Sequence, residues 1–591
     1  MPTLNWIGKD AVINHHKEVP FRLLKCRADL SVGDPDSGNL LVQGDNLEAL
    51  KALLPYYAGQ VKCIYIDPPY NTGNEGWVYN DNVSSPEMKE WLGKVVGGEA
   101  EDLSRHDKWL SMMYPRLQLL KLFLQEDGVI LVSIDDFEAY HLRTLMDEIF
   151  GRQNFIAQLV WEKGRKNDAK FFSVGHEYML VYARSLDVLK KQKTIWREPK
   201  PGAQDIWNEY VKLRATYGEE DNAIEKALRE WYKALPEKHP SKALSRYKHI
   251  DKHGPWRDRD ISWPGGGGPR YDVLHPITNR PCKVPERGWG FANPEAMQRQ
   301  INLGLIEFRE DHTNPPFRKA HLYPIPEELD ESISEIEVSD EGEEIVGLQV
   351  MPSVIYKQSQ VAVKYLRQLM GKKIFENPKD HEVIARLIRY ITKPGDIILD
   401  SFAGSGTTGH AVMKQNSEDI GVRRFILIEM DNNIAQNITA ERLKRVAQGY
   451  VYKDQKGNEK KEAGLGGGFR YCELGATLFD PNRQIREEVK YNDLAQHVYF
   501  IETGQPLPQN AKKHFPLLGV SNETAVYLLY NGILKDKSVN GGNVLTYDVL
   551  EGLPKHAGIK VIYGNGSRIS AARLRDLGIV FKQIPYEIRE M

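Results

Sequence analysis

The chain has 591 residues, 41% hydrophobic and 27% charged, with a formal net charge of −2; this predicts roughly two to four domains with ample core and excludes a uniformly basic nucleic-acid coat, so a polyanion must meet a local patch. No apolar run reaches the roughly 18 residues of a membrane span and no secretory leader opens the sequence, which predicts a cytoplasmic protein with no membrane partner.

From the N-terminus, strand-like and helix-like runs alternate: NLLVQGDN, LEALKALLPYY, KCIYID, WLSMMYPRLQLLKLFL, GVILVSID and FEAYHLRTLMDEIF. Continuous apolar strands between amphipathic helices predict a mostly parallel, doubly wound α/β sheet covered on both faces. This grammar fades after VGHEYMLVYARS, so residues 1–189 form the first half of a core. Between Lys190 and Lys319, 25 Lys plus Arg stand against 18 Asp plus Glu, a local excess of +7. Six of the eleven tryptophans fall there too: Trp196, Trp207, Trp231, Trp256, Trp263 and Trp289. Residues 190–350 therefore read as a basic insert, with loops and short strands around DKHGPWRDRDISWPGGGGPRYDVLHP.

Alternation returns over 351–452, in HEVIARLIRYITKPGDIILDSFAGSGTTGHAVMKQN and RRFILIEMD, so two separated halves can build one sheet. Residues 453–483 are polar and glycine-rich at first and are expected as a linker or exposed hairpin. Residues 484–591, with strand candidates AVYLLYN, IKVIYGN and IVFKQIP, are expected as a small α/β domain able to fold alone and to meet a partner. The four cysteines, Cys26, Cys63, Cys282 and Cys472, form no CxxC pair and are expected as reduced, mostly structural thiols, with no metal site.

LDSFAGSGTTG, Leu399 to Gly409, puts Gly404 and Gly406 between an apolar strand and a helix beginning near Thr407. Glycines allow a tight turn and a close ligand approach. The loop lacks the Lys-Ser/Thr ending of a triphosphate loop, and Glu429 ends the next strand, where an acid suits a ribose diol. Asp400 would repel a dinucleotide's pyrophosphate but welcome the cationic tail of S-adenosylmethionine. In IYIDPPYNTG, Asp67 to Tyr70 likewise follow a strand, and ligands bind beyond strand carboxyl ends. Asp67 and the Pro68 carbonyl can accept hydrogen bonds from an amine, Pro69 stiffens the backbone, and Tyr70 offers a stacking face. Those groups fit an exocyclic amine on a flat base.

IYIDPPYNTG together with LDSFAGSGTTGHAV resembles the catalytic and cofactor motifs of amino-group DNA methyltransferases, in which D-P-P-Y usually accompanies N6-adenine. The motif order resembles the permuted β group. Further matches in QGDNLEAL, WLSMMYPRL, DGVILVSIDD, HEYMLVYA, FENPK and RRFILIEMD most resemble the modification subunits of type III restriction systems and their stand-alone relatives. The resemblance implies the S-adenosylmethionine-dependent methyltransferase fold in permuted order. It implies a cofactor site of Asp45, Phe375, Lys379, Asp400, Phe402, Ala403, Gly404, Ser405, Gly406, Thr407 and Glu429, and catalysis by Asp67, Pro68, Pro69 and Tyr70. Double-stranded DNA would be met by Asn71, which extends the catalytic loop, and by Arg257, Arg259 and Arg270 of the insert. Partners would be a second copy of the chain or a helicase/nuclease restriction subunit.

Three other readings stay open. A dinucleotide-dependent oxidoreductase explains the glycine loop but not DPPY. An N4-cytosine methyltransferase shares the chemistry, and a decayed DNA-binding subunit would not need intact motifs. His176, in HEYMLVYA, is given no catalytic role, and Cys63, inside its strand, is read as core.

Overall fold

The computed structural model describes residues 3–34, 37–71, 93–94, 105–164, 171–263, 265–323, 325, 348–453, 456–482, 484–508, 515–531 and 542–584. They fall into two compact units, one of residues 1–194 with 353–591, the other Ile195–Pro352. No helix among the described residues is long and apolar enough to cross a membrane.

The larger unit is built on ten strands: β1 (Arg22–Val32), β2 (Leu40–Gln43), β3 (Val61–Ile66), β4 (Leu124–Ile134), β5 (Phe155–Glu162), β6 (His176–Ala183), β7 (Val354–Tyr356), β8 (Ile397–Asp400), β9 (Arg424–Glu429) and β10 (Phe469–Thr477). Their spatial order is β1-β10-β2-β9-β8-β3-β4-β6-β5-β7. Pairing is parallel from β10 through β4, with Leu399 opposite both Ile426 and Ile64. Antiparallel strands flank this parallel centre on both sides. The doubly wound, mostly parallel sheet expected from the alternation is present. The centre is apolar on both faces because helices cover both: β3 is buried at every position.

Helices start where the sequence supplies a cap. Asp45 accepts the Leu47 and Glu48 N–H groups at the head of α1 (Asn46–Tyr57), and Asp380 accepts those of Glu382 and Val383 at the head of α2 (His381–Ile391). α3 (Thr407–Asp419) follows the glycine loop directly.

The second unit contains helices Ala203–Tyr217 and Asp221–Ala234 and a four-stranded antiparallel sheet, ordered Ile306–Glu307, Phe317–His321, Gly254–Arg259, His249–Asp251. Glu198–Pro199 pairs with Leu348–Gln349, which brings the two ends of the insert together. The insert expected over 190–350 is thus compact, with two cores of its own.

Two expectations are corrected. Where 453–483 was expected as a linker or exposed hairpin, Gly449–Lys453 and Glu459–Ala463 do form an exposed hairpin, but residues 469–477 are β10, inside the main sheet. Cys26 and Cys472 are not reduced thiols: they face each other across the antiparallel β1–β10 pair and are joined in a disulfide. Cys63 and Cys282 are buried and free.

Residues 484–584 form helix Tyr491–Thr503 and a sheet of Leu517–Ser521, Thr524–Leu528, Ile559–Gly564 and Ile579–Gln583. Alternation along Thr524–Leu528 sends Val526 and Leu528 into the main core and Ala525 and Tyr527 into a local one. Leu494, Val498, Tyr499 and Phe500 of the helix also belong to the main core, so this segment shares its interior with the rest of the unit.

Candidate active site

β3 and β8 are neighbours, and their carboxyl ends carry the two loops that stand far apart in the chain. Asp67 and Asp400 line one cleft together with Tyr65, Phe375, Asn377, Lys379, Phe402, Ala403, Gly404, Ser405, Thr407 and Thr408. Gly406, with φ of 77°, makes the turn into α3 in a region that L side chains enter at a cost. Asp400 accepts the Phe402 N–H at 2.9 Å and the Thr408 hydroxyl. Burial raises its carboxyl to about 7, against the pull of those two hydrogen bonds.

Three expected cofactor residues stand outside that lining. Glu429 is fully buried and holds the loop from beneath: its carboxylate accepts the Gly404 N–H at 2.8 Å and the Asp431 N–H at 2.9 Å. Asp45 caps α1 and pairs with the buried Arg116 at 3.2 Å. Gly406 serves the turn.

Around Asp67 the structure assembles a cluster that the motif alone does not reveal. The Tyr70 hydroxyl lies 2.8 Å from Asp67 Oδ1 and 2.9 Å from Glu177 Oε2, and its one hydrogen can be donated to either. Lys379 Nζ lies 3.0 Å from Asp67 Oδ1 and 2.8 Å from Glu177 Oε2, and 4.8 Å from the centroid of the Tyr70 ring. Lys163 also binds Glu177. Burial alone would raise the Glu177 carboxyl, but Lys163 and Lys379 hold it well below the ordinary carboxylate range. Tyr70, expected to present a stacking face, is 8% exposed, with the Lys379 ammonium bonded at its hydroxyl. The Pro69 carbonyl accepts the Trp109 indole N–H at 2.6 Å, which fixes the backbone of the motif.

Asn71, expected to meet DNA, is instead turned inward. It is 2% exposed, sits at φ of 60°, and donates its amide to Glu138 and to the Arg105 carbonyl at 3.2 Å. Glu138, fully buried, also meets His106 Nδ1 at 2.7 Å and His141 Nδ1 at 2.9 Å, and these contacts satisfy both of its oxygens. Thr72 and Gly73, the end of the quoted motif, lie outside the described residues.

The DNA methylase family pattern matches residues 61–441, a span that contains both loops of the cleft. The chain belongs to the DNA methylase family. It is 33% identical over 447 residues to the EcoP15I Mod subunit of a type III restriction-modification enzyme from Escherichia coli, covering 73% of this chain and 64% of that one. It is 30% identical over 454 residues to the EcoPI Mod subunit from Escherichia phage P1, with the same two shares. The type II methyltransferase M.KpnI from Klebsiella pneumoniae is 28% identical over 414 residues, 69% of this chain and 84% of that one. The matched region thus spans less than two thirds of the two Mod subunits.

In this chain the other expected positions fall as follows. Phe375, Lys379, Phe402, Ala403, Gly404, Ser405 and Thr407 share the cleft, but the Lys379 side chain reaches the DPPY acid rather than only flanking the cofactor loop. Cys63 is buried and its thiol is pushed up to about 12 by burial, as a core position requires. Within the insert, Arg257 and Arg259 are half-buried on one strand, and Arg270 donates to the Glu286 carbonyl at 2.5 Å. None of its six tryptophans is exposed: Trp256 and Trp289 are buried and the others partly so.

Proposed function

We propose that the chain is a site-specific DNA adenine-N6 methyltransferase that takes its methyl group from S-adenosylmethionine and serves a restriction-modification system. The observation that carries the reading is the shared cleft, in which Asp67 of DPPY and the Asp400–Thr407 glycine loop meet at the carboxyl ends of adjacent parallel strands. The names of the relatives support the restriction-modification setting; the proposal adds double-stranded DNA as substrate and a restriction subunit or a second copy of the chain as partner.

The residues fit S-adenosylmethionine. Asp400 lines the cleft and favours a cation, Phe375 and Phe402 supply apolar faces, and the glycine turn admits a ligand close to the backbone. When bound there, the cofactor supplies an electrophilic methyl. The chain's own work is on the acceptor. Adenine's N6 lone pair is delocalised into the ring, so the amine must be drawn out of plane before it can attack. Hydrogen bonds from N6 to Asp67 and to the Pro68 carbonyl favour that geometry and stabilise the positive charge that develops, an interaction stronger in the transition state than in the ground state. Fixed alignment adds more, up to roughly 7–11 kcal/mol in ideal intramolecular systems. The target must leave the duplex at a cost of a few kcal/mol, which phosphate contacts by the basic insert would offset.

Incubation with methyl-labelled S-adenosylmethionine and double-stranded DNA, followed by digestion to nucleosides, tests the reading. Label on N6 of adenine is expected. Label on N4 of cytosine would overturn the base assignment, and no label on DNA would overturn the activity.

A further inference from the structure

Lys379 makes the contacts that an entering amine would need. Its ammonium lies 3.0 Å from Asp67 Oδ1 and 4.8 Å from the centroid of the Tyr70 ring, and it also bonds the Tyr70 hydroxyl. Under the reading above, the target's N6 donates to the same carboxylate and the base lies against the same ring. One carboxylate oxygen thus has two claimants of similar chemistry: a primary ammonium and an aromatic amine.

We propose that Lys379 is a positioning residue that competes with the target amine for Asp67, and that Glu177 receives the ammonium when the base enters. This rests on the methyltransferase reading. The contacts make the exchange feasible without stranding a charge. Glu177 Oε1 and Oε2 already lie 2.9 and 2.8 Å from Lys379 Nζ, so release of Asp67 needs no new partner. The cluster pairs two cations, Lys163 and Lys379, with two anions, Asp67 and Glu177, and a shift of Lys379 toward Glu177 keeps that balance. A buried charge left unpaired would be costly. The backbone of Lys379 need not move: its carbonyl accepts the Thr407 hydroxyl at 3.3 Å, beside the glycine loop. Only the side chain swings, and the ammonium holds Asp67 ready between encounters. Glu177 sits in β6 between His176 and apolar neighbours, 2% exposed, in a strand with no other buried acid.

The test uses the full chain, after the wild type has been shown to transfer label to DNA; failure at that first step would reject the methyltransferase reading rather than the exchange. Glu177→Gln removes the receiving charge and leaves Lys379 on Asp67. It should raise the KM for DNA about tenfold, as expected when a charged hydrogen bond is lost. The double variant Lys379→Met with Glu177→Gln removes the competitor and restores charge balance. It should return the KM for DNA to the wild-type value or below, and fluorescence of 2-aminopurine at the target position should rise in parallel. S-adenosylmethionine affinity, read by calorimetry, should stay within about twofold in Glu177→Gln, since Glu177 stands outside the cleft lining. A double variant no better than Glu177→Gln, or cofactor affinity falling in step with KM, would overturn the exchange. Where either variant fails to fold, Lys379→Met alone serves, because it removes the competitor while Lys163 keeps its bond to Glu177; it should lower the KM for DNA, and an unchanged or raised KM would equally overturn the proposal.

Discussion

The Glu429 carboxylate and the Gly404 N–H are 2.8 Å apart, both buried, at the end of β9 and the head of the glycine loop. With the second bond to the Asp431 N–H, Glu429 fixes the loop against the strand beside it. Glu429→Ala would strand the buried Gly404 N–H, at about 1–3 kcal/mol, and free the partly buried Asp431 N–H. A lowered Tm and weaker S-adenosylmethionine binding are expected together in this variant. Weaker binding at an unchanged Tm would instead mean that Glu429 touches the ligand directly.

Asp67→Ala should abolish methyl transfer while leaving cofactor affinity largely intact, since the proposed work of Asp67 is on the acceptor amine. The loss should leave the fold standing, because Lys379 keeps its bonds to Glu177. Rate assays paired with calorimetry check this. Equal losses of rate and cofactor affinity would reassign the residue to the cofactor.

The raised Asp400 carboxyl gives a pH signature of definite sign. Its neutral form is favoured in the folded protein, so the stability it contributes is full below the ordinary aspartate value of about 4 and is lost as pH rises through about 7. A cation in the cleft favours the ionised form instead. S-adenosylmethionine affinity should therefore climb as pH approaches 7 and level off above it, and Asp400→Asn should flatten that climb. Calorimetry across this range decides; a pH-independent wild type would remove Asp400 from contact with the cofactor's charge.

Alternation and turn residues made the sheet legible: the strands around LLVQ, KCIYI, VILVSI, HEYMLVYA, IILD and RFILIE are continuous and apolar, and nothing competes with that pattern. β10 was not legible because RYCELGAT mixes charge, cysteine and glycine behind a glycine run, so its local signal is that of a loop while its place between β1 and β2 is set by tertiary pairing. The Cys26–Cys472 contact follows from that pairing and was hidden with it. Eight of the expected cofactor positions line the cleft: six because the Asp400–Thr407 loop is contiguous in sequence, and Phe375 and Lys379 from the separate FENPK stretch. Glu429 and Asp45 stand outside that lining, where their carboxylates bond backbone N–H groups that no motif specifies. Glu177 was within reach of sequence reasoning: an acid inside an otherwise apolar strand must be paired, and that signal was passed over for the neighbouring His176.

For the insert, replacing Arg257 and Arg259 with alanine should weaken DNA binding and flatten its salt dependence, each lost phosphate contact changing the slope by about 0.9. Fluorescence anisotropy at several salt concentrations measures the slope. An unchanged slope would assign both side chains to the internal structure of the insert, where Arg257 lies 6.0 Å from the centroid of the Tyr247 ring.

The C-terminal segment was expected as a detachable partner module, so that a chain ending near Asp480 would keep S-adenosylmethionine binding and lose only its associations. The packing argues for a different outcome. Phe21 stacks edge-on against His497 at 4.4 Å and meets Phe500 at 6.4 Å, while the Tyr56 hydroxyl reaches Asp493 at 3.4 Å. Removing the segment uncovers Phe21 and the apolar side of α1 at once. Emptying a core position of one large side chain costs about 2–5 kcal/mol, and Leu494, Val498, Tyr499 and Phe500 leave together, which exceeds the 5–15 kcal/mol margin of a typical fold at its lower end. The truncated chain is expected to aggregate or to melt far below the full chain, as light scattering and thermal denaturation would record. A soluble truncation with intact cofactor affinity would refute the buttress; if it also lost its associations in a pull-down, the segment would be a partner module after all.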